Sequence, residues 1–330
     1  MVTQKHIDLN APLDVNVPST LKKSPLTPEL AKAAITLHGD RYKQSQANLT
    51  RYVIWHPYSI ALYSLIFPSI LVYSLWDYFE ISDNLVEFYT IASRNKRDFA
   101  FHVISVAPLI ASVFGIFGFF SFILGDEVGT ITDRYVAQKY CDFTFGFDIK
   151  EFAQDPKTPL LKEGKNSELV IYRDQPIAIA TIKPDWEQST PENFIVQITG
   201  LHVRKVFNKI DFDQMLIEWA VLRSRELYQT YLTSKNSKVK NGTILIVTDA
   251  YSFDKKFEKT LFSSGFRIFN SSYELNPFSP TLKGYQEVLH KLLGLKRDTF
   301  GILLTTEKDD VDLLKESDLL EKDQVRKRRH

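Results

Sequence analysis

Two long apolar runs constrain this chain more than any other feature of its sequence. Residues 52–76 and 99–125 contain no Asp, Glu, Lys or Arg. A helix rises about 1.5 Å per residue, so about 20 residues cross a hydrocarbon core about 30 Å thick. Both runs are longer than that, and we predict a transmembrane hairpin over residues 52–125. The alternative is a pair of buried helices in a soluble protein, but such helices usually carry a polar edge.

The remaining composition excludes several classes of protein. With 330 residues, the chain has room for the hairpin and one globular domain of ordinary size. A formal net charge of +1 gives no reason to expect nucleic acid as a partner. Cys141 is the only cysteine, which excludes an intramolecular disulfide.

The chain ahead of the first apolar run divides into two parts. Residues 1–26 combine prolines with polar spacers and show no periodicity, so we expect a flexible extension. Thr27 followed by Pro28 is a strong signal for the start of a helix. Apolar residues then recur at helical spacing, which predicts an amphipathic pre-membrane region over residues 27–51, as one helix or as a pair broken near Gly39. Its apolar stripe could lie on the bilayer, contact a partner or pack on the chain's own soluble domain.

The second apolar run offers a surface to another helix. Ala111, Gly115 and Gly118 lie on one helix face, where small side chains let a neighbouring backbone approach closely. The first run is the default occupant of this face, and an outside membrane protein is the alternative.

Charged residues predict the orientation of the hairpin. Basic residues are slightly more frequent on its outer flanks than in the connecting segment 77–98, which favours both termini in the cytosol. Glycosylation sequons occur at Asn48, Asn241 and Asn270. The last two would be used only in the opposite orientation, and we expect all three to be chance matches.

Residues 140–275 have the pattern of an α/β domain. Segments of period two or of continuous apolar character alternate with segments of helical spacing, and an Arg-Asp-Gln-Pro turn begins at Arg173. The order is typical of a mixed sheet domain. The predicted strands are 141–149, 168–172, 177–183, 194–203, 243–248 and 266–275, and the predicted helices are 212–232 and a segment capped by Ser252 that ends at Gly265.

A tail over residues 276–330 follows this domain and ends in the basic cluster 326–330. If the tail is cytosolic, Lys327 and Arg328 resemble the dibasic retrieval signals of endoplasmic-reticulum membrane proteins. The alternative interpretation is a cluster of solvated charge.

The element order, together with Leu201-His202-Val203 and residues 261–266 (LFSSGF), resembles the GNAT acetyltransferase superfamily. The resemblance implies a strand leading into a glycine-bearing loop whose amides hold the acetyl-CoA pyrophosphate at a helix N-terminus. It also implies a tyrosine, four residues before a Gly-Phe pair, that protonates the departing thiolate. Some members of the superfamily are membrane-anchored, with an apolar hairpin ahead of most of the catalytic domain, which is the layout of this chain.

This chain departs from the acetyltransferase pattern at its functional positions. The basic position that opens the loop is Asn208, and the glycine-bearing positions are Lys209, Asp211 and Asp213. Side chains there keep the backbone away from a pyrophosphate, and two aspartates repel it. Leu261 replaces the tyrosine and cannot donate a proton. We therefore expect a GNAT-like α/β domain without the usual cofactor loop, which binds no cofactor and is a pseudoenzyme.

Other catalytic and metal-binding patterns are missing from the sequence. It has no P-loop, no dinucleotide-binding glycine pattern and no Cys/His spacing typical of a metal site. We therefore nominate no catalytic and no metal-ligating residue.

The N-terminal region carries a second resemblance, which is more specific than the first. The pieces that carry it are residues 11–14 (APLD), 26–34 (LTPELAKAA), 37–40 (LHGD), 42–44 (YKQ) and 56–58 (HPY). With these pieces the chain resembles the fungal endoplasmic-reticulum family that assists export of the high-affinity inorganic phosphate transporter. The resemblance implies a multi-pass membrane protein whose partners are the lipid bilayer, a polytopic phosphate permease as client, and vesicle-coat components.

Two functional hypotheses follow from these resemblances. The first is a non-catalytic packaging chaperone that the phosphate transporter requires to leave the endoplasmic reticulum, supporting phosphate uptake. The second is a membrane-bound GNAT-type N-acetyltransferase with an atypical acetyl-CoA loop. Binding of acetyl-CoA discriminates between them.

Overall fold

The structure is a computed structural model that describes most of the chain. It describes residues 18, 20–137, 139–155, 159–236, 239, 242–278 and 284–305. Most of the predicted N-terminal extension, the sequon at Asn241 and the basic cluster 326–330 lie outside the described residues.

The described strands form one mixed sheet. Its order is β1-β2-β3-β4-β5-β7-β6, and every neighbouring pair is antiparallel except β4 and β5, which are parallel. The α/β class predicted from the sequence is therefore confirmed. The strands are β1 Leu21–Pro25, β2 Ser167–Tyr172, β3 Gln175–Pro184, β4 Asn193–Val203, β5 Thr243–Tyr251, β6 Arg267–Ser272 and β7 Arg297–Thr305.

The helices fall into a pre-membrane helix, a long hairpin and a set that flanks the sheet. Their bounds are α1 Ala31–Ile54, α2 Pro57–Ser74, α3 Trp76–Ile81, α4 Leu85–Arg94, α5 Lys96–Ser105, α6 Ala107–Val136, α7 Cys141–Phe145, α8 Ile149–Gln154, α9 Leu161–Gly164, α10 Phe212–Ser234, α11 Lys255–Ser263 and α12 Gly284–Leu293.

The pre-membrane region is one continuous helix, so the predicted break near Gly39 is wrong. A side chain at Gly39 would lie 3.7 Å from Cβ of Tyr135 on α6, and the glycine instead lets the two helices pack closely. Leu37 and Leu49 of α1 are fully buried in the same cluster as Ile131 of α6. Of the three alternatives for the apolar stripe of α1, packing on the chain's own domain is the one observed.

Within the described part of the chain, two helices are long and apolar enough to cross a membrane, as the sequence predicts. One is Pro57–Ser74, and the other covers α5 and α6, from Lys96 to Tyr135. In the most apolar stretch of each helix, only 11% and 6% of the residues are buried, respectively, whereas a core helix of a soluble protein would be mostly buried. Pro57 stands at the first turn of α2, and Pro108 stands at the first turn of α6, where neither removes an intrahelical hydrogen bond.

The segment that connects the two long helices is itself helical. It consists of α3 and α4, which meet the start of α5 through three aromatic rings. The ring centroids of Phe79 and Phe88 are 4.7 Å apart, and those of Phe88 and Phe99 are 6.2 Å apart. Asn84 caps α4 by accepting hydrogen bonds from the backbone amides of Val86 and Glu87.

The strand predicted over residues 141–149 is wrong, because this segment forms α7 and the start of α8. Gly146 adopts a positive φ of 81° and ends α7, which a strand would not allow. Asp148 then caps α8 by accepting a hydrogen bond from the amide of Lys150. The buried residues Cys141, Thr144 and Phe145 have helical spacing, although the alternating apolar residues suggested period two.

The hairpin of β2 and β3 is confirmed, with Arg173 and Asp174 at positive φ as a two-residue turn of this kind requires. The predicted cap at Ser252 is wrong, since Asp254 caps α11 through the amide of Phe257. Gly265 ends α11 at positive φ, as predicted. The sheet also extends beyond residues 140–275. Residues 21–25 of the predicted flexible extension form β1 and residues 297–305 of the predicted tail form β7, so both predictions are wrong for these segments, which pair with distant strands.

Candidate functional site

The site is organised around a fork between the two parallel strands. The strands β4 and β5 pair from Asn193 and Thr243 as far as Ile198 and Thr248. Beyond that point β4 continues to Val203 beside β3, while β5 continues to Tyr251 beside β7. Beyond Ile198, the edge of β4 that had faced β5 therefore has no strand beside it. Other elements must cover the backbone groups along that edge.

Helix α1 covers the fork. The Nη2 atom of Arg41 donates a 2.9 Å hydrogen bond to the backbone carbonyl of Asp249 on β5. The guanidinium also lies over the rings of Tyr42 and Phe257, with its carbon 5.8 and 5.9 Å from their centroids. The guanidinium of Arg41 therefore lies in the fork, where it is attached to α1 and bonded to the sheet.

One turn earlier, His38 fixes α1 to the neighbouring strands. Its Nε2 lies 2.9 Å from Oγ1 of Thr181, and Thr181 in turn lies 2.9 Å from Oγ of Ser167. Gly200 makes room for the ring, because a side chain there would come within 2.2 Å of Cε1 of His38. Burial is the main cause that lowers the pKa of His38 to about 3, with Arg41 and His202 as smaller causes, so the ring is neutral.

A cavity of about 200 Å³, which we call the loop cavity, opens on one side of Arg41. Among the predicted loop positions, Asn208 and Asp213 line it, whereas Lys209 and Asp211 do not. Asp211 takes the N-cap position of α10 but makes no side-chain hydrogen bond to the helix backbone. The structure therefore brings together only part of the predicted set.

Lys256 of α11 closes the loop cavity toward α10. Its ammonium donates a hydrogen bond to the backbone carbonyl of Asn208 and lies 3.1 Å from Oδ2 of Asp213. A bound pyrophosphate needs hydrogen-bond donors from a helix N-terminus. The groups that Asn208 and Asp213 present to Lys256 are acceptors, and a cation already satisfies them.

Two further polar groups line the loop cavity. His202 is 5% exposed, and its Nε2 has no hydrogen-bond partner among the described residues. Burial lowers the pKa of His202 to about 3, with Arg41 and Arg204 as further causes, so this ring is also neutral. Burial raises the pKa of Asp254, which caps α11. Leu261, at the position of the acetyltransferase tyrosine, is fully buried in the core.

A second cavity, of about 180 Å³, opens on the other side of Arg41. We call it the cationic cavity, because Lys183 and Arg297 line it together with Arg41, against the single carboxylate of Asp249. Among the described residues, no group of three or more His, Cys, Asp or Glu side chains could hold a metal ion.

The small-residue face of α6 is open. A side chain added at Gly115 or at Gly118 would meet nothing within 4 Å. The first span instead contacts α6 through aromatic rings, with Tyr63 4.7 Å from Phe117 and 5.2 Å from Phe114 between centroids. The default expectation, that the first span fills this face, is therefore wrong.

The sequence alone does not single out Arg41 or Lys256 as residues of the site. Arg41 is one of several basic residues ahead of the first apolar run, and Lys256 is one lysine among several in α11. No local pattern distinguishes either of them, since their partners Asp249 and Asn208 are far away in the sequence.

The comparison with known families agrees with the N-terminal resemblance. The model of the family described as "Inorganic phosphate transporter chaperone Pho86" matches residues 3–304. Among curated protein sequences, none gives a significant match.

Similar solved structures are acetyltransferases, and the overall similarity is low. A structure of Arabidopsis thaliana NAA60 with a bisubstrate analogue has 14% identity and a TM-score of 0.30, covering 50% of this chain and 88% of that chain. Arabidopsis thaliana Naa50 with a bisubstrate analogue has 12% identity and a TM-score of 0.28, covering 41% and 71%. A GNAT-family acetyltransferase from Streptococcus pneumoniae has 12% identity and a TM-score of 0.28, covering 44% and 73%.

Proposed function

The chain belongs to the Pho86 family of inorganic phosphate transporter chaperones, and on that premise we propose a non-catalytic membrane protein of the endoplasmic reticulum that its client requires for export. The client is a polytopic phosphate permease, and its delivery supports phosphate uptake. The observation that carries the proposal is the family match over residues 3–304, which includes both apolar helices and the sheet.

Insertion of the hairpin in the bilayer is the first part of the proposal. The exposed surface of Pro57–Ser74 and of α6 is rich in large apolar side chains, among them Leu65, Ile116 and Phe119, which are 66–69% exposed. Such a surface is stable in lipid, because exposing it to water is unfavourable in free energy.

The client-binding surface is the second part. Nothing in the described chain lies within 4 Å of a side chain added at Gly115 or Gly118, so a helix of another membrane protein could approach α6 there without displacing part of this chain. We place the contact with the transporter on this face, together with Ala111. The α/β domain supplies the cytosolic contacts, with vesicle-coat components as candidate partners.

The absence of catalysis is the third part. Lys256 satisfies the acceptors of Asn208 and Asp213, and Leu261 offers no proton. The rival hypothesis, a membrane-bound N-acetyltransferase, predicts that acetyl-CoA binds the full chain. We expect neither heat in calorimetry nor a rise in the melting temperature at high acetyl-CoA concentration. Saturable binding would favour the rival.

Cytosolic termini are the fourth part. Asn48 on α1 and Asn270 on β6 are both exposed, and both belong to elements on the same side of the hairpin. A lumenal domain would offer both sequons to glycosylation. We expect the molecular mass of the protein to show no glycan at either site. A decrease in apparent mass on glycosidase treatment would indicate the opposite orientation.

Deletion of the gene tests the proposed function. The fluorescently tagged phosphate transporter should then accumulate in the endoplasmic reticulum, while an unrelated plasma-membrane protein with several spans is delivered normally. Normal delivery of the phosphate transporter in the deletion strain would contradict the proposal.

A further inference from the structure

The cationic cavity has a charge balance that the packing of the fold does not require. Arg41, Lys183 and Arg297 contribute three positive charges, and Asp249 contributes the single negative charge. Both oxygens of the Asp249 carboxylate already have partners. Its Oδ2 lies 2.6 Å from Nη1 of Arg297, and its Oδ1 accepts a 2.9 Å hydrogen bond from Oγ1 of Thr299.

Neither of the other two cations forms an ion pair within the described residues, although Asp254 of the loop cavity interacts electrostatically with Arg41. Arg41 bonds to the backbone carbonyl of Asp249, which uses one of its five donors and neutralises no charge. The ammonium of Lys183 has no hydrogen-bond or ion-pair partner within the described part of the chain, and its stem lies over Gly146. Among the residues that line the cationic cavity, three cations therefore face one carboxylate.

The sheet register explains why these cations meet. Lys183 pairs with Gln197 across β3 and β4, and Tyr251 pairs with Arg297 across β5 and β7. Alternate residues of a strand share one face, so these side chains project from the same face of the sheet as Asp249. Arg41 comes from α1, the helix that covers the fork.

Aromatic side chains form part of the wall of the cationic cavity. Tyr42 and Tyr251 are buried, and Phe278 and the exposed Phe143 also line it. Apolar walls lower the local dielectric and strengthen the attraction between fixed cations and an anion. The loop cavity, which Arg41 also lines, has two carboxylates, Asp213 and Asp254, beside the two cations Arg41 and Lys256.

We propose that the cationic cavity is a binding site for a small oxyanion with the chemistry of a phosphate group. A volume of about 180 Å³ is below the range of about 300–1,000 Å³ typical of drug-sized ligands, so a nucleotide or coenzyme does not fit inside it. Arginine forks bind phosphate oxygens in pairs, and Lys183 adds a point charge at the open side. The proposal does not depend on the identity of the client.

Titration of the full chain with inorganic phosphate tests this site. The protein is reconstituted in nanodiscs of neutral lipid and studied by calorimetry at low ionic strength, with Lys183→Gln as the variant. We expect saturable binding that the variant weakens about tenfold, as for loss of one charged hydrogen bond. The matched control is Lys259→Gln on the exposed side of α11, which should bind as the wild type does.

A second arm distinguishes a free ion from a lipid headgroup. Nanodiscs that contain phosphatidylinositol phosphate replace the neutral ones, and the thermal shift of wild type and Lys183→Gln is compared. Lysine-dependent binding in neutral nanodiscs supports a free phosphate ion, and a lysine-dependent shift only with the anionic lipid supports a headgroup. Absence of both, or equal binding by wild type and Lys183→Gln with unchanged circular dichroism, would overturn the proposal.

Discussion

Arg41 and Asp249 are 208 positions apart in the sequence, and a 2.9 Å hydrogen bond joins the guanidinium of one to the backbone carbonyl of the other. This contact holds the pre-membrane helix in the fork between the parallel strands. Since α1 also packs along α6, the sheet, α1 and the second long helix are fastened together.

Gly200→Ala should destabilise the protein, because the added Cβ would come within 2.2 Å of the ring of His38. The ring would have to move and would lose its contact with Thr181. We expect a loss of about 1–3 kcal/mol, typical of overpacking in a core, measured by chemical denaturation. Gly115→Ala is the control, since nothing lies within 4 Å of that position. Equal stability of the two variants would refute the packing of His38 on β4.

Acidification should destabilise the α/β domain through its two buried histidines. Burial lowers the folded-state pKa of both His38 and His202 from 6.5 to about 3. Their contribution to stability is complete above pH 6.5 and is lost as the pH falls toward 3, because the unfolded chain binds the protons first. Each histidine contributes a loss of about 2 kcal/mol between pH 6.5 and pH 5.

His202→Gln separates this effect from other titrations. The variant removes one of the two groups, so the decrease in unfolding free energy between pH 7 and pH 5 should be smaller than in the wild type by about 2 kcal/mol. Denaturant titrations at the two pH values provide the measurement. An identical decrease in wild type and variant would show that His202 is not buried in its neutral form.

Cys141 should be unreactive in the folded protein. Its side chain is fully buried, and burial, with smaller contributions from Asp142 and Asp148, raises the pKa of the thiol to about 12. The thiolate is the reactive species, so maleimide should label the native chain very slowly and the denatured chain completely. Thr230→Cys, at an exposed position of α10, provides a site that labels quickly. Fast native labelling of Cys141 would contradict its burial.

Local patterns were sufficient to predict much of the fold. The β2 and β3 hairpin, β4 and α10 each combine a clear period with a turn or cap signal, and all are observed near their predicted bounds. The apolar runs also appear as exposed helices. In each of these cases the residues that specify the structure are close together in the sequence.

The predictions are wrong or incomplete where contacts between residues distant in the sequence determine the structure. The alternating aromatics of residues 141–149 fit a strand locally, but Phe145 and Phe147 pack in the core formed with α1, and Gly146 ends a helix between them. β7 lies inside the predicted tail over residues 276–330, because its place in the sheet depends on its distant partner β5 and on β6. The role of Arg41 likewise depends on the fork.

We propose that α6 recognises the transporter through its open small-residue face. The most direct measurement is the fraction of tagged phosphate transporter at the plasma membrane in cells that carry Gly115→Leu with Gly118→Leu. Ile116→Phe, which adds bulk at an exposed position off that face, is the control. We predict that the double variant accumulates to normal levels and yet leaves the transporter in the endoplasmic reticulum, while the control delivers it normally. Delivery by the double variant equal to that of the wild type would contradict the account.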